Sequence, residues 1–544
     1  MTVHRSRLKS TLPDKVSWKR YPEEPDGPEP KVASEAATAQ AEVPTPARRT
    51  ATARTTTSKR RIQRRLTPLE LIQQPLQVAT RKVFDLRRFL LVLGGTAIVL
   101  LIPAPPGLTL EAHRALALFV FTGMILSLQP VPLPIAALLV PVAQVALGID
   151  TARGAFAPFA DPVIYLILAS LFLAETMRKH GLTRRLALYA IIFSRGHFHR
   201  LIFILIALTS LLSMWVLNTA TAAMLIPVAI SIAQQIQDQS AAKRMLAVLV
   251  LAIGYGASIG GIGTPMGSGE NAIANGQLSQ VMEFSFLSWV SYGFPVVLGL
   301  IPITWAMLLL VFRVPNLRMD LTPTLRELVR RRGLNNAERE TIGVLVISIV
   351  LWISGSTLEK MFGLPTTLLS SAMIAILAVA LLSIEELIDW DDLKGVNWGI
   401  IFVIGAGLSL GDALDKTGAS DWIVSLIEPA LSGLPYLAIL AILIASTFLL
   451  TQFMNSVTYG AILSPILVTL GVTTNIIPTR LVLPFVFTLA LCYMLPNSSA
   501  RMTLVAISGA VDTKNQLRSG LLVGLPSAIF VFAYFALLSL VGLI

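Results

Sequence analysis

Apolar residues in this chain are gathered into blocks rather than scattered. From Phe89 onward, runs of roughly twenty apolar positions alternate with short polar stretches. Each run is long enough for a helix to cross a ~30 Å hydrocarbon core. The pattern predicts spans at about 89–104, 113–129, 132–149, 162–178, 247–262, 286–312, 341–357, 366–383, 397–410, 481–496 and 517–542. Two other apolar stretches, 201–234 and 436–470, have polar centres and are short for two crossings plus a loop. Backbone that leaves the helix at membrane depth must be surrounded by protein or a wet cavity, so both read as re-entrant hairpins. The expected fold class is an all-α polytopic membrane protein with about 11 transmembrane helices, two re-entrant hairpins and inverted-topology repeats.

Composition agrees with that picture. The 544 residues are 54% hydrophobic and 14% charged, against about a quarter charged in soluble domains, which argues against a cytosolic enzyme. No HExxH, P-loop or paired-Cys signature adds support for catalysis. The single cysteine, Cys492, rules out an intrachain disulfide and a Cys-built metal site.

Charge placement changes what the net +12 means. Residues 1–88 hold 19 Lys and Arg against 9 Asp and Glu, whereas the remaining 456 residues hold 24 against 22. The basicity belongs to a segment ahead of the first span and implies no nucleic-acid partner. Residues 1–84 read as a disordered basic cytosolic tail, because Pro, Ala, Thr and charge cannot bury enough apolar area to offset ordering entropy. A sharper reading makes the tail an arm that contacts lipid. Basic residues also cluster between Arg178 and Arg200 and between Arg313 and Arg339. The positive-inside rule puts both loops and the N-terminus in the cytosol, and an odd number of spans then leaves the C-terminus outside.

The chain repeats itself weakly. Glu175 to Gly181 aligns with Asp412 to Gly418 at an offset of 237, and Ser213 to Pro227 with Thr451 to Pro465 at 238. Tyr255, ahead of one Gly-rich break, aligns with Tyr493 ahead of another. Repeat one covers about 113–312 and repeat two about 341–542 within a transporter domain of 85–544. An odd number of spans between the copies gives them opposite orientation, the architecture of secondary transporters whose site lies between broken helices.

Four polar breaks carry the candidate chemistry: 217–221, 260–271, 451–456 and 496–501. Broken helices offer N–H groups to an anion and free carbonyls to a cation. A lone Ser, Thr or Asn in such a place is ordinarily interhelical glue, but four breaks in matched pairs ask for more.

On these residues, the chain from about 85 onward resembles the divalent anion:sodium symporter family of the wider ion transporter superfamily. The run Ser213-Met-Trp-Val-Leu-Asn-Thr-Ala-Thr-Ala-Ala-Met-Leu-Ile-Pro227 is similar to the family's first Ser-Asn-Thr hairpin, and Gly260 to Asn271 to its glycine-rich run. The resemblance implies a homodimer in a bacterial inner (plasma) membrane, elevator-type alternating access, a small anionic substrate, most simply a C4-dicarboxylate, and sodium coupling or anion exchange. It implies no cofactor beyond Na+ as coupling ion. By the same resemblance, Asn218, Thr219, Ser268, Asn455, Ser456 and Ser499 would face substrate, and Arg501, where the chain departs from the pattern, is a further candidate. One cation site would use Ser213, Asn218 and the Gly267 carbonyl; a second would use Thr451, Ser456 and the carbonyls of Met454 and Ser498.

This chain departs from the pattern at instructive places. Ser-Asn-Thr becomes Leu217-Asn218-Thr219 in one half and Asn455-Ser456-Val457 in the other, and paired prolines give way to Glu270 and Arg501. An ionisable residue at membrane depth is a functional-site hypothesis by default. Three readings stand open: a structural ion pair; an anion contact or fixed cation at Arg501 with Glu270 as partner or proton carrier; or two side chains reaching cavity water. A non-transporting sensor or assembly component that kept the fold is the rival function.

Overall fold

The computed structural model describes residues 84–543 except 235, 237, 316–317, 319–321, 323–325, 327–332, 366 and 432. The expected tail, but for its last residue, and Arg330, Arg331 and Arg332 of the second basic loop lie outside the described residues. Among the described residues the structure is helical, with one isolated antiparallel bridge between His197 and Arg318.

The first half runs α1 (Leu86–Leu101), α2 (Leu110–Leu128), α3 (Leu133–Ala146), the short α4 (Ala152–Phe156), α5 (Pro162–Lys179) and α6 (Leu182–Phe193). It continues through α7 (Phe198–Trp215), α8 (Asn218–Ala233), α9 (Gln239–Ile262), α10 (Gly269–Val281) and α11 (Phe286–Phe312). The second half runs α12 (Asn336–Phe362), α13 (Ser371–Ile384), α14 (Trp390–Leu393), α15 (Gly399–Thr417) and α16 (Ala419–Leu431). Then come α17 (Tyr436–Leu450), α18 (Ser456–Thr473), α19 (Thr479–Leu489), α20 (Ala500–Ile507) and α21 (Thr513–Val541). The helices α3 to α9 begin 237 to 240 residues before α13 to α19, in the same order.

Seven helices among the described residues are long and apolar enough to cross a membrane, or up to nine if each bent pair is one span. The apolar runs at 132–149, 366–383 and 481–496 form the shorter helices α3, α13 and α19. Hydropathy counts apolar length, whereas helix length also depends on where the backbone breaks. At α3 the start is held back by Pro130, Pro132 and Pro134. The two polar-centred stretches are helix–break–helix units, α7–α8 and α17–α18.

Burial sorts the helices. α9 is buried along nearly its whole length and packs on α7, α8 and α11. By contrast α11, α12 and α21 are about one-third buried and turn Leu, Ile and Phe outward, as a lipid-facing surface requires. Each half also grips the other through ions. Lys179, ending α5, bonds Asp392 of α14, and the matched Lys416 of α15 bonds Asp150, just ahead of α4, at 3.1 Å. The hydrogen bond from Lys179 holds the Asp392 carboxyl below the usual carboxylate range.

Candidate functional site

The first break is built by glycine and by backbone that changes partner. α7 stops as Val216 turns extended, and Leu217 provides no side-chain cap for α8. The Asn218 N–H donates instead to the Gly267 carbonyl at 3.0 Å. A Cβ on Gly260 would lie 2.0 Å from the Ser210 carbonyl oxygen, and one on Gly267 would lie 2.5 Å from that of Gly261. Only glycine permits such approaches. Ser268 caps α10 through the Asn271 N–H at 3.3 Å. The Asn271 amide donates to the carbonyls of Gly261 (2.7 Å) and Thr264 (2.9 Å), and Thr264 donates to that of Met214. Ser213 Oγ donates to the Ala257 carbonyl at 2.7 Å.

At the second break both helix starts carry side-chain caps. Asn455 Oδ1 caps α18, accepting from the N–H groups of Val457 (3.0 Å) and Thr458 (3.4 Å), and Ser499 caps α20 through Met502 at 3.4 Å. Ser498 Oγ lies against the carbonyls of Cys492 (3.0 Å) and Leu495 (2.6 Å). Met454 is partly buried, its N–H donating to the Leu450 carbonyl at 3.2 Å. The Thr451 and Ser456 hydroxyls are buried with no hydrogen-bond partner among the described residues.

A cavity of about 210 Å³ collects the tips. Its wall includes Asn218 and Thr219 opening α8, Gly269 and Glu270 opening α10, and Ala500 and Arg501 opening α20. Asn455, Ser456 and Val457 contribute from α18, while α3 and α15 add Leu133, Pro134, Gly399 and Ile400. Six helices therefore begin at this cavity, and helix N-termini carry partial positive charge that favours an anion. Of the residues singled out from sequence, Asn218, Thr219, Glu270, Asn455, Ser456, Ser499 and Arg501 line it. Ser213, Gly267, Ser268, Thr451, Met454 and Ser498 stand outside the lining.

Arg501 is 2% exposed and Glu270 1%. Arg501 Nη1 lies 3.7 Å from Glu270 Oε1, an ion pair too long for a hydrogen bond. Three other contacts hold the guanidinium. Nε donates to Ser258 Oγ, and Nη2 meets the Ala490 carbonyl (3.1 Å) and Cys492 Sγ (3.0 Å). Glu270 Oε1 is buried without a hydrogen-bond partner among the described residues. Cys492, Ser258 and the α15 residues Gly399, Ile400 and Val403 had no signal in an apolar stretch; Asn397 alone, a polar residue just ahead of a helix, could have been picked out. A larger cavity of about 520 Å³, near the C-terminal half of α10 and the facing ends of α12 and α13, contains none of the hairpin-tip residues.

A cavity ringed by broken-helix starts, inside a helical membrane body, matches the arrangement in which secondary transporters build their sites. The chain belongs to the citrate transporter family (CitMHS), whose model matches residues 116–492, and it is an integral membrane transporter rather than an enzyme. It is 28% identical over 427 residues to an uncharacterized transporter of Haemophilus influenzae, covering 77% of this chain and 90% of that protein. It is 27% identical over 425 residues to the sodium-dependent dicarboxylate transporter SdcS of Staphylococcus aureus, covering 73% and 81%. The solved YdaH transporter of Alcanivorax borkumensis aligns with a TM-score of 0.48 at 13% identity, over 78% of this chain and 98% of that one.

Proposed function

We propose that this chain carries small dicarboxylates, with C4 acids as the reference substrates, across a bacterial plasma membrane by alternating access. The observation that carries the reading is the cavity itself. Helix starts from both halves meet there, and Arg501 Nη1 has no hydrogen-bond acceptor among the described residues. Guanidinium is suited to a carboxylate, and the SdcS relative is named for dicarboxylates.

Sodium coupling rests on the first break. Gly261 lets the Asn218 amide and the Gly267 carbonyl close in on one spot: a Cβ there would lie 3.2 Å from Asn218 Nδ2 and 3.4 Å from the Gly267 oxygen. Asn218 Nδ2 has no partner among the described residues. Turned over, the same amide presents an oxygen to a cation. Inverted repeats are supported by matched Tyr255 and Tyr493, whose rings meet at 4.3 Å between centroids, as neighbours of a pseudo-two-fold axis do. Elevator motion, a homodimer, eleven spans and a cytosolic N-terminus complete the proposal.

Uptake of labelled succinate, malate, citrate and sulfate into proteoliposomes tests it, with and without a sodium gradient or internal counter-substrate. Uptake that needs sodium supports symport, and uptake that needs internal anion supports exchange. No flux of any anion under any gradient overturns the transporter reading in favour of a sensor.

A further inference from the structure

We infer that the Glu270–Arg501 pair reads a hydroxyl beside a carboxylate, so that the preferred substrate is a 2-hydroxy acid such as malate rather than unsubstituted succinate. The inference rests on the proposed transport of dicarboxylates and deepens it. Glu270 lines the cavity, and its Oε1 is a buried acceptor that receives no hydrogen bond among the described residues. Arg501 Nη1 is a donor on the same wall, 3.7 Å away, with its other nitrogens already engaged. One acceptor and one cationic donor, side by side, match a ligand with a donor and an anion on adjacent carbons. The carboxylate of a 2-hydroxy acid bonds Arg501, and its hydroxyl donates to Glu270. Both orphaned groups are satisfied together.

Succinate offers the carboxylate and leaves Glu270 Oε1 without a hydrogen bond. A site built to bond a substrate hydroxyl rejects the analogue lacking it, because its own buried polar group is then stranded. Ser456 and Thr219 also bring hydroxyls to the wall, but a neutral hydroxyl accepts more weakly than a carboxylate. Asn455 Oδ1 is engaged in capping α18, and Val457 and Ile400 are apolar.

The test is competition and uptake in proteoliposomes with succinate, malate and 2-methoxysuccinate, the last keeping both carboxylates and the oxygen while losing the donor. Malate is expected to exceed succinate in kcat/KM by roughly tenfold or more, and 2-methoxysuccinate to gain nothing over succinate. Glu270→Leu should bring the malate-to-succinate ratio towards one, and Glu270→Gln, which keeps a neutral acceptor, should lower it less. Thermal stabilisation of the purified protein by each acid gives the same ranking without transport, which covers a variant that reconstitutes poorly. Equal use of malate and succinate by the unmodified protein overturns the inference while leaving dicarboxylate transport intact. So does an unchanged ratio in both Glu270 variants. Flux of none of the three acids overturns both readings at once.

Discussion

The two halves of the membrane body place their helices alike and treat their polar groups differently. In the first half, Ser213 donates to the Ala257 carbonyl, Thr264 to that of Met214 and Asn271 to those of Gly261 and Thr264. In the second, Thr451, the match of Ser213, is buried without a partner among the described residues, whereas at the next matched pair Asn218 Nδ2 and Ser456 Oγ both lack one. The first break is thus prebuilt, its irregular backbone held by its own side chains. The second leaves hydroxyls that only a ligand, an ion or water can satisfy, and a buried polar group without a partner calls for such an account. Arg501 sits on the second half's break but is anchored by Ser258 of the first. The cavity is where unsatisfied groups of both halves, Asn218 and Glu270 of the first and Ser456 of the second, meet one cation.

The largest effect is expected at that cation. Arg501→Gln should reduce uptake more than a hundredfold, through loss of the anion contact, and lower stability by about 3–5 kcal/mol by leaving Glu270 uncompensated. Thermal unfolding of Arg501→Gln/Glu270→Gln should recover most of the stability while uptake stays lost. If the double variant transports normally, the pair is structural.

Next comes the first break. Gly260→Ala puts a methyl against the Ser210 carbonyl oxygen, where the backbone must move, and should cost about 1–3 kcal/mol or more in denaturant unfolding. A variant as stable as the parent would show that the first break is less fixed than its hydrogen bonds imply.

The halves can then be compared as ion sites. Ser213→Ala should raise the sodium needed for half-maximal uptake by roughly tenfold, read from sodium titrations. Thr451→Val removes an orphaned hydroxyl, so it should leave the protein as stable or slightly more stable. It should change sodium dependence only if the second half also holds an ion. A sodium response at Thr451 and none at Ser213 would reverse the assignment.

The smallest effect concerns the ion pair between halves. The Asp392 carboxyl is lowered by its hydrogen bond from Lys179, so its contribution is full above the unfolded carboxylate range. It fades as pH falls through the lowered folded value. Asp392 is partly exposed, so Asp392→Asn should cost no more than about 1 kcal/mol, less at high salt. The variant should also flatten the acid side of the stability–pH curve. Melting temperatures across that range check it.

The sequence by itself determined the apolar blocks, the four polar breaks and the two residues, Glu270 and Arg501, that stand out of an apolar background. These are local properties. Period, composition and glycine placement act within a few residues, and a charge among apolar neighbours is visible without a fold. The shorter lengths of α3 and α19 were not legible, because prolines and backbone breaks cut helices that hydropathy alone would extend. Nor was the cavity's far wall. Gly399, Ile400 and Val403 carry no chemical signal and reach the site only because α15 packs on α18. Ser258 and Cys492 gain meaning from the guanidinium they hold, 243 and 9 residues distant in sequence. Only the tertiary structure decided which polar atoms find partners. Hydrogen bonds between breaks depend on ångström-scale approach of segments far apart in the chain, and that approach is set by packing.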